Sequence, residues 1–156
     1  MRQPIQVAIY CVRMNGADRE YLLLRRIPSG GGYWQAVSGG VEGDESCPAA
    51  ARRELEEETG FAPACFEQMT YSYSFPVGPE MRYLYEEPVD LITEIVFLAR
   101  VESGREPKLD LREHDAWQWC TYETALEMLY WPGNRESLKH CERYLRSDGE
   151  TAPAKE

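Results

Sequence analysis

Gly39-Gly40-Val41-Glu42-Gly43-Asp44-Glu45-Ser46-Cys47-Pro48-Ala49-Ala50-Ala51-Arg52-Arg53-Glu54-Leu55-Glu56-Glu57-Glu58-Thr59-Gly60-Phe61 carries the clearest helix signal of the sequence and most of its clustered acid. Ser46 is a good helix N-cap, Pro48 suits a first turn and Gly60 suits the position just past a helix end. A helix between them places Glu54, Glu57 and Glu58 at i, i+3 and i+4, so the three carboxylates share one face. Leu55 turns off that stripe towards a sheet. Ala50 and Ala51, one turn earlier, are expected on the acidic face with open space above them. Gly39-Gly40 and Gly43 predict a loop whose backbone comes close to the helix start.

Three carboxylates within one turn repel one another. Two readings account for them. Either the face is solvated, or a divalent cation turns the repulsion into a site. Hard oxygen ligands on a helix suit Mg²⁺ or Mn²⁺, ions that also bind phosphate oxygens.

Upstream, Ile5–Arg13 and Glu20–Arg26 are apolar and β-prone, separated by the turn residues Asn15-Gly16-Ala17-Asp18. Residues 28–32 form a glycine-rich turn without the Lys-Ser/Thr of a P-loop, and Trp34–Ser38 reads as one short strand. Downstream, Ala64–Phe75, Asp90–Val101 and Ala116–Thr121 read as strands. Ile95 to Ala99 is apolar at every position, as in a strand covered on both faces. Helices are expected over Tyr122–Leu129 and Asn134–Leu145, with Asn134 as N-cap. The pattern predicts an α/β fold, a mixed sheet between helical layers, in one domain over residues 1–147, with 148–156 a frayed tail. Trp34, Trp117, Trp119 and Trp131 are core residues by default, and Trp34 is the candidate to stack on a ring.

Composition narrows the function. With 27 acidic against 17 basic side chains, the net charge of −10 repels phosphate polymers, so no nucleic-acid partner is expected. No apolar run is long enough for a membrane span, and Met1–Val12 reads as a strand, not a signal peptide. The five cysteines are scattered and never form C-x-x-C, which argues against disulfides and structural zinc and predicts a cytoplasmic protein. A small phosphate substrate remains compatible with the acidity if a cation mediates.

Gly39, five residues, Glu45, seven residues, then Arg53-Glu54-Leu55-x-Glu57-Glu58-x-Gly60-Phe61 resembles the signature of the Nudix hydrolase superfamily at all nine specified positions. At average residue usage such a match arises by chance in roughly one window in a billion. The resemblance implies an α/β/α sandwich that hydrolyses a nucleoside diphosphate linked to another group. It also implies Glu54, Glu57 and Glu58 as metal ligands, one of them serving the attacking water. Arg53 would tie the helix to the loop, with Glu45 its partner, while Gly39 and Gly60 keep the turns tight and the Ser38 carbonyl offers a further oxygen.

Trp34 to Glu42, Trp117-Gln118-Trp119 and Trp131-Pro132-Gly133-Asn134-Arg135 are similar to the corresponding parts of bacterial dihydroneopterin triphosphate pyrophosphatases, which also act on dATP. That likeness makes Glu113, in Glu113-His114, either a further metal ligand or an ordinary loop acid, with His114 structural. It favours Arg25 over Arg26 as the residue that reaches the phosphates, since alternation sends the two to opposite faces. The implied products are a monophosphate and pyrophosphate. Dinucleoside polyphosphates, other nucleoside diphosphate derivatives and a non-catalytic nucleotide-binding module remain alternatives, and a homodimer is compatible with the resemblance.

Overall fold

A computed structural model describes residues 1–147. The expected tail, 148–156, lies outside the described residues. Seven strands form one mixed sheet: β1 (Arg2–Asn15), β2 (Asp18–Arg26), β3 (Trp34–Gln35), β4 (Val37–Glu42), β5 (Cys65–Pro76), β6 (Leu91–Arg100) and β7 (His114–Thr121). Three α-helices cover it: α1 (Cys47–Thr59), α2 (Tyr122–Met128) and α3 (Pro132–Ser147). No helix among the described residues is long and apolar enough to cross a membrane.

The long strand β1 organises the rest. Its last residues pair antiparallel with β2, its first half pairs antiparallel with β4, and along its middle it runs parallel to β6. Strand β6 continues the sheet to β5, and β2 continues it to β3 and β7. Because β1 changes partner along its length, the expected single strand Trp34–Ser38 is divided. Trp34 and Gln35 pair with β2, and after Ala36 the chain joins β1 instead. The second piece runs on to Glu42, so Gly39 and Gly40 are strand residues rather than the loop expected from their composition.

Alternation along the strands fills two cores. Val7, Ile9, Cys11, Leu22, Leu24, Phe97 and Ala99 pack towards α1, while Ala8, Tyr10, Tyr21, Leu23, Val96 and Leu98 pack towards α2 and α3. The unbroken apolar run of β6 is explained by this double cover. In α1 the Ser46 hydroxyl accepts from the Ala49 amide at 3.2 Å, and Gly60, at φ 77°, ends the helix with its N–H on the Glu56 carbonyl. Ala50 and Ala51 are not open to solvent; both are fully buried and let α1 sit close on the sheet. Helix α3 starts at Pro132, two residues before the expected cap, so Asn134 lies inside its first turn with its amide on the Trp131 carbonyl. Of the four tryptophans, Trp131 is 46% exposed and is no core residue.

Glu142 fastens α3 to the sheet. Its carboxylate accepts from Arg19 Nη2 at 2.8 Å, Tyr21 Oη at 2.7 Å and Arg146 Nε at 2.9 Å. Burial alone raises a carboxyl pKa, but these donors outweigh it and hold Glu142 below its ordinary value. A depressed folded-state pKa contributes stability above the unfolded value and loses it as pH falls through the folded one. Melting temperature should therefore fall as the solution is taken below the ordinary carboxylate range. Glu142→Gln should lose about 2 kcal/mol at neutral pH, roughly 4–8 °C in Tm, and should flatten the acid limb of a Tm-versus-pH curve.

Candidate active site

Two glutamates of α1 face inward. Glu54 is 8% exposed and Glu58 only 2%, so two of the three carboxylates are turned towards the sheet rather than into water. The room for Glu54 comes from β4: a Cβ on Gly39 would lie 2.1 Å from Glu54 Cδ and 2.2 Å from its Oε1. Glycine is needed there for space, and Gly39 is not among the positive-φ glycines. Beneath Glu54, the Glu58 carboxyl is approached by the Ser38 backbone amide and by Glu54, while its Oε1 has no hydrogen-bond partner. Burial raises the pKa of both acids, and it carries Glu58 well above the ordinary value with the adjoining Glu54 adding to the shift. Glu57 stands at the rim with its side chain 55% exposed.

Arg53 locks helix to loop. Its guanidinium makes a two-pronged bond to Glu45, Nε to Oε2 at 2.7 Å and Nη2 to Oε1 at 2.9 Å, and donates to the Gly40 carbonyl at 3.1 Å. That pairing holds the Glu45 carboxyl below its ordinary pKa. Its remaining nitrogen, Nη1, lies 2.9 Å from Glu54 Oε1 and 3.3 Å from Glu57 Oε1. A positive group thus already bridges two of the three acids. Among the described residues, no three acidic, histidine or cysteine side chains converge on a common point as they stand.

A cleft of about 1260 Å³ opens beside this helix and is lined at one end by Ser38, Gly39, Glu54, Glu57 and Glu113. Glu113 is placed by its own amide on the Asp110 carbonyl and by its carbonyl, which accepts from the Ile27 amide at 3.0 Å. Its carboxylate lies 3.8 Å from Arg26 Nη1. Arg26, not Arg25, lines the cleft. Arg25 instead donates to Asp115 at 2.8 Å and lies 5.7 Å from the centre of the Trp34 ring. The signal for Arg26 was present in the strand: it shares parity with Leu22 and Leu24, which pack towards α1. Trp34 packs against the core, and the tryptophan at the cleft is Trp131. His114 is fully buried with Gln35 3.0 Å from its Nε2, and burial lowers its pKa to about 4, so it is neutral at ordinary pH.

These residues fit a divalent cation. The donor set is hard oxygen, one buried carboxylate oxygen is left without a partner, and a cationic nitrogen sits between two of the acids. A buried, unpaired carboxylate is costly unless a charge offsets it.

The sequence matches the NUDIX domain family over residues 4–141, nearly the whole described chain. This chain belongs to the NUDIX family. The Nudix domain is 32% identical over 142 residues to a dihydroneopterin triphosphate diphosphatase of Haemophilus influenzae, covering 88% of this chain and 85% of that protein. It is 38% identical over 135 residues to an octanoyltransferase of Myxococcus xanthus, covering 86% of this chain but only 36% of that longer protein. In three dimensions it resembles the dihydroneopterin triphosphate pyrophosphohydrolase of Escherichia coli, with a TM-score of 0.73 at 23% identity, covering 88% of this chain and 94% of that one. The structural likeness speaks for the fold alone. Catalytic class follows the family and its diphosphatase relatives: the domain is a Nudix pyrophosphohydrolase acting on phosphoanhydride bonds.

Proposed function

We propose that this Nudix domain is a Mg²⁺-dependent pyrophosphohydrolase, Mn²⁺ serving also, that cleaves a nucleoside-triphosphate-like compound to its monophosphate and pyrophosphate. Dihydroneopterin triphosphate, dATP and other nucleoside triphosphates make up the substrate class. The observation that carries the proposal is the buried pair Glu54–Glu58 with its unpartnered oxygen, opening on a cleft that also holds Glu57 and Glu113. Supporting it is the relation to a diphosphatase over most of both chains.

Glu54, Glu57, Glu58 and Glu113 would hold the ion. When bound, it neutralises phosphate oxygens and favours ionisation of water, which lets a protein of net charge −10 take a polyanion. The chain's own groups supply the rest. Arg26 meets phosphate oxygens at the cleft wall, and Ser38 and Gly39 let them approach the backbone closely. One glutamate takes the proton as the water oxygen bonds to phosphorus. The bridging P–O bond breaks with its electron pair on the departing pyrophosphate. Arg53, through Glu45 and the Gly40 carbonyl, holds α1 against β4 so that these distances are fixed before substrate arrives.

Product mass after incubation of dATP, a pterin triphosphate and diadenosine tetraphosphate with Mg²⁺ tests the proposal. A monophosphate and pyrophosphate should form from the triphosphates. Orthophosphate as the sole phosphate product, or cleavage confined to the dinucleotide, would overturn it.

A further inference from the structure

Strand β4 carries no side chain at two consecutive positions, and each gap serves a different face, since successive strand residues point to opposite sides. On the α1 face the gap at Gly39 takes Glu54. On the other face the gap at Gly40 takes Arg2. A Cβ on Gly40 would lie 2.6 Å from Arg2 Cδ, 2.6 Å from its Nε and 3.0 Å from its Cζ. Gly40 is not among the positive-φ glycines, so space rather than backbone shape calls for glycine there. The Arg2 guanidinium thus rests against the β4 backbone. Strand β4 pairs with β1 alone, which leaves its second edge without a partner strand. The cleft bends round this strand, lined by Glu54 from one face and by Arg2 from the other.

Other charged groups lining the cleft already have partners. Arg53 is held by Glu45, and Arg26 has Glu113 at 3.8 Å. Glu94 on β6 is 1% exposed; its Oε1 accepts from Tyr73 Oη on β5 at 2.6 Å and its Oε2 from Gln6 Nε2 on β1 at 2.5 Å. Arg2 differs. It is half-buried, and among the described residues no carboxylate or other acceptor pairs with its side chain. Even Glu42, its opposite number in the β1–β4 register, makes no ion pair with it. A guanidinium cannot shed its charge, so in a cleft wall it is costly until an anion meets it. It is the counterpart, across one strand, of the unpartnered oxygen of Glu58.

We propose that Arg2 binds the terminal phosphate of the substrate, the outer half of the departing pyrophosphate, with the phosphate chain crossing β4 at Gly39-Gly40 from the acidic face to the Arg2 face. The terminal group suits this place by charge. It carries a second negative charge near neutral pH and three free oxygens, which match the planar fork of a guanidinium. Inner phosphates carry one charge each and lie towards the acids of α1. Arg2 thereby makes the length of the phosphate chain a selected property. The inference rests on the triphosphate reading above and adds to it the residue that recognises the leaving group.

Kinetics and binding test it separately. Arg2→Gln should raise KM for dATP about tenfold and leave kcat within about twofold of wild type, as for a contact made equally in ground and transition states. Calorimetry with Mg²⁺ present should show pyrophosphate binding the variant about tenfold more weakly than wild type. The other product, dAMP, lacks the outer phosphates and should bind both proteins alike. Arg2→Lys keeps the charge without the fork and should recover only part of the pyrophosphate affinity. Wild-type pyrophosphate affinity in Arg2→Gln, or an equal loss for dAMP, overturns the proposal, and the hydrolase reading then stands if triphosphates are still cleaved. A selective loss of pyrophosphate binding in a protein that cleaves no triphosphate upholds the Arg2 assignment while the hydrolase reading falls. Should Arg2→Gln fail to fold, Arg2→Lys decides: pyrophosphate affinity equal to wild type overturns the proposal.

Discussion

Glu57→Gln and Glu58→Gln are each expected to lower turnover by on the order of 10³-fold while the protein stays folded. The two substitutions reach this result from opposite environments. Glu57 is at the rim, so an amide there disturbs no packing and removes the charge proposed to meet the metal together with an exposed ion pair to Arg53. Glu58 is buried, and burial already favours its neutral form. A neutral glutamine of the same shape should therefore leave Tm unchanged or raise it slightly. Loss of function without loss of stability separates a metal-binding role from a structural one, because a structural acid would lower both together. Activity within a few-fold of wild type in the double variant would contradict the assignment. The readout is steady-state pyrophosphate release beside a thermal melt of the same preparation.

Among the described glycines, Gly39 is the one whose replacement by alanine brings the closest approach to another atom. Its Cβ would fall 2.1 Å from Glu54 Cδ, well inside any real contact distance. The Glu54 carboxyl must then leave its place against β4 or α1 must lift. The clash is with the far end of one side chain, so the loss of stability is small where the carboxyl swings aside and about 2 kcal/mol, roughly 4–8 °C in Tm, where α1 must lift instead. A ligand displaced by about 1 Å lowers turnover by on the order of 10²-fold. Gly43→Ala provides the contrast for activity: nothing lies within 4 Å of the new carbon, and the strain there comes only from a φ of 54°. Gly39→Ala that retained wild-type kcat and Tm would show that Glu54 needs no fixed position.

The helix carrying the glutamates was legible because its signals are local. Ser46, Pro48 and Gly60 mark its ends, and the i, i+3, i+4 spacing places three acids on one face. Depth was not legible. A helical wheel shows which residues share a face, but not that Gly39 on a neighbouring strand makes room for a carboxylate below the surface, or that Ala50 and Ala51 belong to the core. The division of Trp34–Ser38 arises from β1 exchanging one partner for another, a tertiary event with no turn residue at Ala36 to announce it. At α3 the signal existed: Pro132 suits a first helical position better than Asn134 suits a cap. Arg26 was likewise readable from its parity with Leu22 and Leu24, although a register shift in the pairing with β7 falls between Arg25 and Arg26. Glu94 stood in plain view as an acid within an apolar strand, but its partners on β1 and β5 become neighbours only through the register.

The most direct measurement is a titration of Mn²⁺ or Mg²⁺ into purified wild-type protein and the Glu57→Gln/Glu58→Gln variant, followed by melting temperature. A ligand that binds the native state raises its stability by RT ln(1 + [L]/Kd), about 2.7 kcal/mol at a hundredfold excess over Kd. Wild type should melt several degrees higher as the ion is added, and the variant should not. Melting curves that do not move with either ion, or that move equally in both proteins, would contradict a metal held by the acidic face of α1.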